Sequence, residues 1–596
     1  MIANKMSPLL QLALRYENLL TEDLKASFIV DSNQNLWEVV IDYIGDLNEL
    51  IRDYTLVAAY NLRGGFAQII INKNNVGDLS NAPNVLTLSL PVRLSYIDIG
   101  LGEICAGNIT GDNSVISATG EGVLLAVIDS GIRYNHPDFI TDKGTSRILY
   151  LWDQSIKTNG TNETVINRNS GVVYTNEQIN EALGYTEEAD QLAIVPSQDT
   201  LGHGTALAGI AAGNGRGSQN RQNRGVAPEC ELIIVKVGRE DTAYPRDVEI
   251  MQGIDFAIEK AIELRKPLTI LLGVGSNLAG HNGTTSLEFY INRRYNNWLL
   301  NFVVGTGNQG NQNAHASGKL EEGQSQTIQI SAEAPNLKEY GCCIWKRFSD
   351  EISLLIQTPT GEETDVLNLL TPNRAYLFDE IAVLINYSAP INSIDDQEIY
   401  ILFQAQGETT LGSGLWKLTL TGTQILEGNY NVWGSIVPNI EGNNIEFLNP
   451  DINQTLTTPA TAYVITSVGA YNSDIRQVAA FSGRGYTADG RIAPDLVAPG
   501  VTVTVPSISN ENLYSSMSGT SVAAAFVAGA YVVMMEYGLY TLNNLNYYGE
   551  ELRILLLKNA RRLTSYAPYP NNIWGYGLMC IEAALINMRE IDDQSS

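Results

Sequence analysis

The spacing of hydrophobic and polar residues changes three times along this chain, and each change marks a different kind of predicted structure. In residues 24–95 the run KASFIV predicts a strand, LWEVVIDYIGDLNELI has apolar residues at helical spacing, and LVAAYNLRGGFAQIIIN predicts two strands around a Gly-Gly turn. A short helix at VGDLSNA and a last strand at VLTLSL follow. The resulting βαββαβ order predicts a small α+β unit of the ferredoxin-like type.

From residue 122 the pattern becomes that of an α/β protein. Continuous apolar runs such as LLAVID and ELIIVKV predict buried strands, and they alternate with helical patterns such as DVEIMQGIDFAIEKAIELR. The same style returns at AYVITSVGAYN and continues to WGYGLMCIEAALIN near the C-terminus. Apolar strands that alternate with helices predict a parallel sheet covered by helices on both faces.

Between these two stretches, residues 325–455 carry no strong helical pattern. Short alternating runs such as TIQIS, ISLLIQT and LWKLTLTGT are separated by turns rich in Gly, Asn, Asp and Pro. This pattern is typical of a β-sandwich or jelly roll. We therefore predict four segments, namely an α+β unit at 1–96, a first part of the α/β core at 97–318, an inserted jelly-roll β domain at 319–458 and a second part of the core at 459–596.

The charge balance narrows the classes of partner. The 596 residues include 65 acidic and 37 basic side chains, which gives a net charge of −28. A surface this acidic repels phosphate backbones and anionic lipids, so we expect neither a nucleic-acid partner nor a membrane partner. The excess of acidic residues names no substrate.

The cysteines and the N-terminus bear on the cellular compartment. The five cysteines are scattered and form no CxxC pair, so neither a zinc site nor a disulfide framework is predicted. The N-terminal apolar run is interrupted by Gln11 and Arg15, which favours an amphipathic helix over a secretory signal. We expect synthesis in the cytoplasm without classical secretion.

The stretch SGTSVAAAFVAGA places Ser521 at the start of a helix of small apolar residues. Its hydroxyl is either a helix N-cap or a nucleophile, and a nucleophile needs a base to take its proton. Of the four histidines, His203 stands between two glycines at the start of a small-residue helix. His136 precedes a proline, which predicts a loop and makes it a weak candidate for the base. His281 and His315 stand in turns rich in Gly and Asn, where we expect a solvated or hydrogen-bonding role.

Asp129 ends the apolar run LLAVID, where a carboxylate is costly to bury unless it is hydrogen-bonded. It either closes an Asx-turn or orients the ring of His203, which would leave the other ring nitrogen free to act as a base. Each motif is ambiguous by itself. Asp129, His203 and Ser521 occur in that order, each beside glycine residues, and together they are much less ambiguous than any one of the motifs.

The blocks VIDSGI, GHGTALAGIAAG and SGTSVAAAFVAG resemble the three active-site blocks of subtilisin-like serine proteases, in that family's order. The resemblance covers residues 97–318 and 459–590. It implies that Ser521 attacks a peptide carbonyl, that His203 carries the proton, and that Asp129 orients His203. It also implies an Asp-His-Ser serine endopeptidase that forms an acyl-enzyme.

Two further blocks extend the resemblance. FVVGTGNQGNQ resembles the block that supplies the family's oxyanion asparagine, here Asn308, which as an isolated motif reads as a surface turn. LTILLGVGSNLAG stands where the family carries a Ser-Leu-Gly strand that pairs with the substrate, so Gly273, Val274 and Gly275 would take that role. The family's calcium loop is poorly matched by GNGRGSQNRQNRGVAPE, so we expect no metal and no cofactor.

The whole arrangement resembles one branch more closely, the Csp germination proteases of spore-forming clostridia. That resemblance implies that residues 1–96 are a prodomain, an intramolecular chaperone and inhibitor that stays bound after the chain cuts itself. It places the processing site at Leu94, Ser95 and Tyr96, just before the core begins near Ile97. It also implies a spore-associated protein whose substrate is the precursor of a cortex-lytic enzyme.

Three alternatives stay open on the sequence alone. The chain is a general protein-degrading subtilase, or a binding or signalling protein whose intact triad is blocked by its own prodomain, or its β domain binds carbohydrate. The aromatic residues Trp416 and Trp433 lie in alternating strand patterns, which favours a place in the core of the β domain over a sugar-binding surface.

Overall fold

A computed structural model describes residues 5–96, 118–156, 171–239, 244–295, 298–388, 396–437, 442–509, 511–566 and 568–595. The described chain forms an N-terminal α+β unit, an α/β core and a β-sandwich inserted into that core. The α/β fold class with its α+β unit is therefore confirmed. The four segment boundaries stay predictions, and residues 97–117, where the unit meets the core, lie outside the described residues.

The N-terminal unit contains four helices and one antiparallel sheet. Its helices are α1 (Pro8–Tyr16), α2 (Glu22–Ala26), α3 (Leu47–Asp53) and α4 (Val76–Ser80). Its strands are β1 (Ile29–Asp31), β2 (Leu36–Tyr43), β3 (Ala58–Arg63), β4 (Phe66–Asn72) and β5 (Val85–Ser89), followed by the separate short strand β6 (Ser95–Tyr96). The sheet runs β5-β2-β4-β3, with β1 also beside β2. This is the strand order of a ferredoxin-like βαββαβ unit.

The first strand and first helix of that unit lie later in the chain than predicted. KASFIV begins in α2, and only its last two residues, Ile29 and Val30, enter a strand, the short β1. The first half of the expected helix, LWEVVIDY, is the central strand β2. The residues Trp37, Val39 and Ile41 pack into the unit's own core, whereas Val40 packs against the α/β core. Because both faces of β2 are buried, its apolar residues show no strand alternation, and the sequence pattern resembled a helix.

The first part of the α/β core follows. Its strands are β7 (Leu124–Asp129), β8 (Ile148–Asp153), β9 (Val172–Thr175), β10 (Glu231–Lys236), β11 (Leu268–Leu272), β12 (Val274–Gly275) and β13 (Leu300–Gly305). Its helices are α5 (Asn176–Leu183), α6 (Glu188–Ile194), α7 (His203–Ala212), α8 (Asp247–Leu264) and α9 (Ser286–Arg294). The strands predicted at LLAVID and ELIIVKV are β7 and β10, and both are buried.

The inserted domain is a sandwich of two antiparallel sheets. Its strands are β14 (His315–Lys319), β15 (Ser325–Ala334), β16 (Glu339–Arg347), β17 (Glu351–Gln357), β18 (Asn373–Phe378), β19 (Ile381–Tyr387), β20 (Asp396–Ala405), β21 (Gly412–Gln424), β22 (Asn429–Gly434) and β23 (Asn444–Phe447). One sheet runs β14-β22-β16-β20-β19-β18 and the other β17-β21-β15-β23. Trp416 lies in the apolar core between them. The finer assignment as a jelly roll stays a prediction.

The chain then returns to the core. The remaining elements are β24 (Thr466–Asn472), β25 (Gln477–Val478), β26 (Leu496–Pro499), β27 (Val503–Pro506), β28 (Tyr514–Met517), α10 (Thr520–Glu536), α11 (Gly549–Lys558) and α12 (Ile581–Ser595). The core sheet runs β25-β24-β13-β11-β7-β10-β8-β9, with β26 beside β24, and its pairs are parallel except at β9 and β25. Helices α7 and α10 cover one face, and α8 and α9 cover the other.

The helix that begins with α10 is long enough and apolar enough to cross a membrane. Among the described residues, no other helix meets both conditions. The most apolar 18-residue stretch of this helix is 94% buried inside the protein, however. Small residues on α10 pack it closely against α7 and the parallel sheet. The helix is therefore the central core helix of the α/β fold.

Two histidines expected in turns, in a solvated or hydrogen-bonding role, lie in a buried aromatic stack. The rings of His281 and His315 flank Trp433, with centroids 4.2 Å and 4.9 Å from the tryptophan ring. His315 begins β14, and burial lowers the pKa of His281 to about 4. The hydrogen-bonding alternative is confirmed, since Nε2 of His281 lies 2.9 Å from the Asn277 carbonyl and Nε2 of His315 lies 3.0 Å from Oδ1 of Asn431. The solvated alternative is wrong, because their glycine- and asparagine-rich segments form the buried junction between the sandwich and the core.

Candidate active site

The structure brings together the three residues predicted from the active-site blocks. Asp129 is the last residue of β7, His203 is the first residue of α7, and Ser521 is the second residue of α10. Nδ1 of His203 lies 2.7 Å from Oδ1 of Asp129, and Nε2 of His203 lies 2.9 Å from Oγ of Ser521. All three residues are at most 2% exposed. This arrangement lets the histidine accept the serine proton while the carboxylate holds the ring.

A second carboxylate fixes the end of β7 against the first turn of α7. Oδ1 of Asp199 accepts a hydrogen bond from the hydroxyl of Ser130 at 2.8 Å, and Oδ2 accepts one from the backbone N–H of Thr205 at 2.9 Å. The Ser130 hydroxyl in turn accepts the backbone N–H of Gly204. The sequence gives no signal for Asp199, because the position that caps a helix directly precedes its first residue and here is Gly202.

The glycine at position 273 lies directly against the Asp–His pair. A β-carbon on Gly273 would lie 2.1 Å from Oδ2 of Asp129 and 2.8 Å from Cε1 of His203. Both distances are far shorter than van der Waals contact, so any side chain here would displace one of the two residues. This contact gives a steric reason for glycine at a position where the resembled family carries serine.

Asn308 is oriented by the residue that precedes the nucleophile. Its Oδ1 accepts hydrogen bonds from the backbone N–H and the hydroxyl of Thr520, at 3.0 Å and 3.2 Å. Its Nδ2 is buried and makes no hydrogen bond. An amide whose oxygen is engaged presents its N–H₂ group outward, so Asn308 can donate to an oxyanion beside Ser521.

The predicted substrate strand pairs with the predicted processing segment. Strand β6 is antiparallel to β12, with Tyr96 opposite Val274 and Ser95 opposite Gly275. The N-terminal unit thus ends by adding a strand to the edge that would receive a substrate, which is how extended peptides bind exposed strand edges.

The same segment is held on its other side and reaches the active site. The backbone N–H of Leu94 donates to the carbonyl of Pro245 at 2.8 Å. The ring of Tyr96 lies 5.7 Å from that of His203. Burial, together with the charge of Asp129, raises the pKa of Tyr96 well above its usual value. Ile97, which follows, lies outside the described residues.

Buried ion pairs join the N-terminal unit to the α/β core near this segment. Arg246 at the start of α8 is fully buried between Glu38 of the unit and Glu249 of the core, and its Nη2 lies 3.0 Å from Glu38 Oε1. Arg293 forms a bidentate pair with Asp42 of the unit at 2.7 Å and 2.8 Å. Such charges are costly to bury, and removing one partner leaves the other unpaired.

Asp247, next to Arg246, binds the chain just before β6. Its Oδ1 accepts the backbone N–H of Val92 at 2.8 Å, and its own N–H donates to the Val92 carbonyl. Burial raises the pKa of the Asp247 carboxyl to about 7. The contact between the unit and the core therefore contains a group that titrates near neutral pH.

The loop of residues 213–229, which was compared with the family's calcium loop, contacts a buried carboxylate that is fully engaged in hydrogen bonds. Asp138 is fully buried, and its carboxylate accepts hydrogen bonds from the Tyr514 hydroxyl at 2.8 Å and the backbone N–H of Gly217 at 2.8 Å. Across the part of the chain that the structure describes, no group of three His, Cys, Asp or Glu side chains is arranged to hold a metal ion.

Comparisons with known proteins cover both the α/β core and the N-terminal unit. The sequence profile of the subtilase family matches residues 120–339 and 427–577, and the profile of the Csp protease B prodomain matches residues 4–92. The solved structure of the Clostridium perfringens CspB protease has a TM-score of 0.71 and 31% sequence identity, covering 79% of this chain and 94% of that one.

Curated relatives are more distant. The C5a peptidase of Streptococcus pyogenes is 22% identical over 449 residues, which cover 69% of this chain and 34% of the relative. The PII-type proteinase of Lactococcus lactis subsp. cremoris is 22% identical over 493 residues, covering 72% of this chain and 23% of the relative. The chain thus spans about a third or less of the length of these relatives.

Proposed function

We propose that this chain cleaves peptide bonds with Asp129, His203 and Ser521 as its catalytic triad. The chain belongs to the subtilase family, and it is a serine endopeptidase with a Csp-type prodomain. The observation that carries the proposal is the continuous hydrogen-bonded path from Asp129 through His203 to Ser521. Its two short contacts join residues that are 74 and 318 positions apart in the chain.

The reaction follows from the position of each group. Ser521 Oγ forms a bond to the substrate carbonyl carbon while His203 Nε2 takes its proton. The C–N bond then breaks, the leaving amine receives that proton, and an acyl-enzyme remains on Ser521. Water, deprotonated by the same nitrogen, attacks the ester carbonyl carbon. The C–Oγ bond then breaks, Oγ takes the proton back from Nε2, and the acid product leaves. Asp129 keeps the ring in the tautomer with Nδ1–H and stabilises the imidazolium.

Asn308 and the backbone N–H of Ser521 would stabilise the tetrahedral oxyanion. Nδ2 of Asn308 is buried and makes no other hydrogen bond, so it can bind the oxygen as negative charge develops on it. The N-terminus of α10 adds positive potential at the same place. No cofactor enters this mechanism.

We also propose that the enzyme cleaves its own chain at the end of the segment Leu94–Tyr96. The strand pairing between β6 and β12 supports this, because it holds the segment beside His203 without a diffusional encounter. Such positioning can contribute roughly 7–11 kcal/mol to lowering a barrier. After cleavage the unit would remain bound as an inhibitor through its packing and ion pairs.

N-terminal sequencing of the purified protein tests both proposals together. Wild-type protein should give two fragments on a denaturing gel and one species in solution, with a new N-terminus shortly after Tyr96. Ser521→Ala should stay intact, whereas the control Ser515→Ala, an exposed serine on β28, should be processed normally. Cleavage of Ser521→Ala at the wild-type rate would remove Ser521 from the mechanism.

We further propose that the physiological substrate is a protein precursor such as the zymogen of a spore cortex-lytic enzyme, and that the protein is spore-associated. The match to the Csp protease B prodomain and the likeness to a CspB protease support this proposal. Incubation of the processed protein with a purified precursor should yield one discrete product. Extensive degradation would favour a general protein-degrading subtilase instead.

The second candidate is a binding protein of the same fold that is permanently blocked. The β6–β12 pairing favours it, because the N-terminal unit covers the edge that a substrate needs. A small fluorophosphonate separates the two functions, since it requires an activated serine but no paired strand. Absence of label on Ser521, even after limited proteolysis of the unit, would favour the blocked binding protein.

A further inference from the structure

The inserted β domain reaches the chain just before the processing segment through one carboxylate. Glu339 is the first residue of β16, and its Oε1 lies 2.6 Å from Nη1 of Arg93, which stands two residues before β6. The side chains of Arg93 and Glu339 are 23% and 26% exposed, so each is mostly shielded from water. Arg93 also donates to the backbone carbonyl of Asp23 in α2. The guanidinium is therefore held between the β domain and the N-terminal unit.

The other oxygen of Glu339 is held by two further side chains. Its Oε2 accepts hydrogen bonds from the Thr21 hydroxyl at 2.9 Å and from Nε2 of Gln404 at 3.2 Å. Gln404 on β20 is fully buried, and its Oε1 accepts the backbone N–H of Thr21 at 2.5 Å. We call Glu339, Arg93, Thr21 and Gln404 the Glu339 network. Because Oε2 is engaged in this way, the carboxylate can present Oε1 only to a narrow set of positions.

The backbone contacts of the processing segment do not select one register by themselves. The N–H of Leu94 donates to the Pro245 carbonyl, and β6 pairs with β12. Every residue except proline offers the same N–H and C=O groups, so main-chain pairing gives affinity while side chains give specificity. The register in which the segment enters the active site therefore depends on the side chains that the segment carries.

Arg93 is the one charged side chain in residues 91–96, so it marks a single register. A slip by one residue would turn its side chain to the opposite face of the strand. A slip by two would bring Pro91 or Ser95 opposite Glu339, and neither can neutralise a carboxylate. Each slip would leave a mostly buried charge without its partner, which is unfavourable. The Glu339 network thus favours the register that the structure shows.

We propose that Glu339 is a positioning residue for self-cleavage, and that its pairing with Arg93 fixes the register in which the segment enters the active site. The inserted domain thereby decides at which bond the chain cuts itself. The contact acts on the segment and not on the triad, since Arg93 belongs to the N-terminal unit. The inference rests on the proposed self-cleavage, and it adds which residues select the cleaved bond.

The test measures where and how fast the full-length chain cuts itself. The chain is synthesised in a cell-free reaction with a pulse of radiolabel, and mass spectrometry of the core fragment gives its first residue. Wild type should give a single N-terminus. Glu339→Gln keeps an acceptor for Thr21 but loses the charge, so cleavage should be about five- to tenfold slower and should begin fragments at two or more residues. Glu333→Gln, an exposed glutamate on β15, is the matched control and should behave as wild type.

Substitutions of Arg93 test the same contact from its other side. Arg93→Lys keeps the charge and should retain one cleavage position, whereas Arg93→Met should give the mixed positions of Glu339→Gln. The double variant Arg93→Met/Glu339→Gln should be no slower than either single variant, because both groups act through one contact. A merely structural role of Glu339 would lower the yield of folded protein without moving the cleavage position. If Glu339→Gln fails to fold, Arg93→Met and Arg93→Lys carry the test.

The outcomes distinguish this inference from the function on which it rests. Glu339→Gln protein that cuts itself only at the wild-type bond would overturn the inference and leave self-cleavage standing. Additive effects of Arg93→Met and Glu339→Gln would also overturn it, since the two side chains would then act separately. Wild-type protein that a fluorophosphonate labels but that stays intact would overturn the inference together with self-cleavage, and leave the triad standing. Absence of both label and cleavage would overturn all three.

Discussion

The N-terminal unit is held by two surfaces that differ in chemistry. Against the α/β core it combines buried ion pairs and backbone pairing, with Arg246 between two glutamates and β6 added to β12, with an apolar cluster that includes Val40, Leu62 and Phe66. Against the β domain, outside the Glu339 network, it uses apolar packing, where α1 lies on β18, β19 and β20 of the six-stranded sheet. Residues of α1 share one buried cluster with Leu384 and Leu402.

The two kinds of contact would therefore have different roles. Buried ion pairs are strict about geometry and contribute little net stability, whereas apolar burial is tolerant of geometry and contributes most of the free energy of association. The ion pairs and the paired strand of the core surface would therefore set where the segment before Ile97 sits, and the apolar contacts of both surfaces would keep the unit attached after cleavage. The rate at which a fluorophosphonate labels Ser521 reports the opening of either surface.

Arg246→Met should give the largest effect. It leaves Glu38 and Glu249 buried without their partner, which typically costs about 3–5 kcal/mol. The labelling rate should rise by about 10²–10³-fold as the unit opens. The control is Arg239→Met, because Arg239 contacts the same Glu38 at 3.5 Å but is partly exposed. Equal effects of the two substitutions would contradict the role given to the buried network.

Asn308→Ala should slow catalysis without releasing the N-terminal unit. Loss of one oxyanion donor costs about 3–4 kcal/mol in this family, so self-cleavage and turnover should fall by about 10²–10³-fold. The N-terminal unit should still co-purify with the core, since neither holding surface includes Asn308. Turnover equal to wild type would show that another donor stabilises the oxyanion.

Leu384→Ala should weaken the apolar surface. Truncating a buried leucine costs about 2–5 kcal/mol, and here the loss is divided between the β domain's own stability and its contact with α1. The unit should dissociate faster from processed protein, measured by native mass spectrometry. Leu354→Ala, buried in the sandwich core away from α1, is the matched control. If both variants release the unit equally, the contact with α1 is not what retains it.

The pH dependence of the core surface should be the smallest effect. The pKa of Asp247 is raised to about 7 in the complex from an ordinary value near 3.8, so the complex binds the proton more tightly. Affinity for the unit should therefore be greatest at low pH and fall by about tenfold between pH 6 and pH 8. Asp247→Asn keeps an acceptor for Val92 and should flatten this dependence. A wild-type affinity that rises with pH would contradict the assignment.

Much of the fold was predictable where one physical signal dominates. Buried parallel strands such as β7 and β10 are apolar throughout, so the sequence predicts them directly. Strand β2 was wrongly predicted as a helix because the α/β core buries its second face. The same ambiguity arises whenever a neighbouring domain covers a strand that would otherwise alternate.

The residues of the candidate site also differ in whether the sequence predicts them. Asp129, His203, Ser521 and Asn308 stand in short blocks of glycine and small residues, and such blocks can be read without a structure. Their catalytic roles stay predictions. Asp199 carries no such signal, because an aspartate near a helix start is common in any chain.

By itself the sequence determined the residue types of the triad, the order of its blocks and the alternation of strands and helices, since each is a local property of the chain. Only the tertiary structure decided that Ser95 and Tyr96 pair with β12 and that Arg246 is buried between Glu38 and Glu249. These contacts join residues that are distant in the chain and chemically ordinary. Their meaning comes from the neighbours that folding places beside them, because burial and hydrogen-bond geometry depend on position in space.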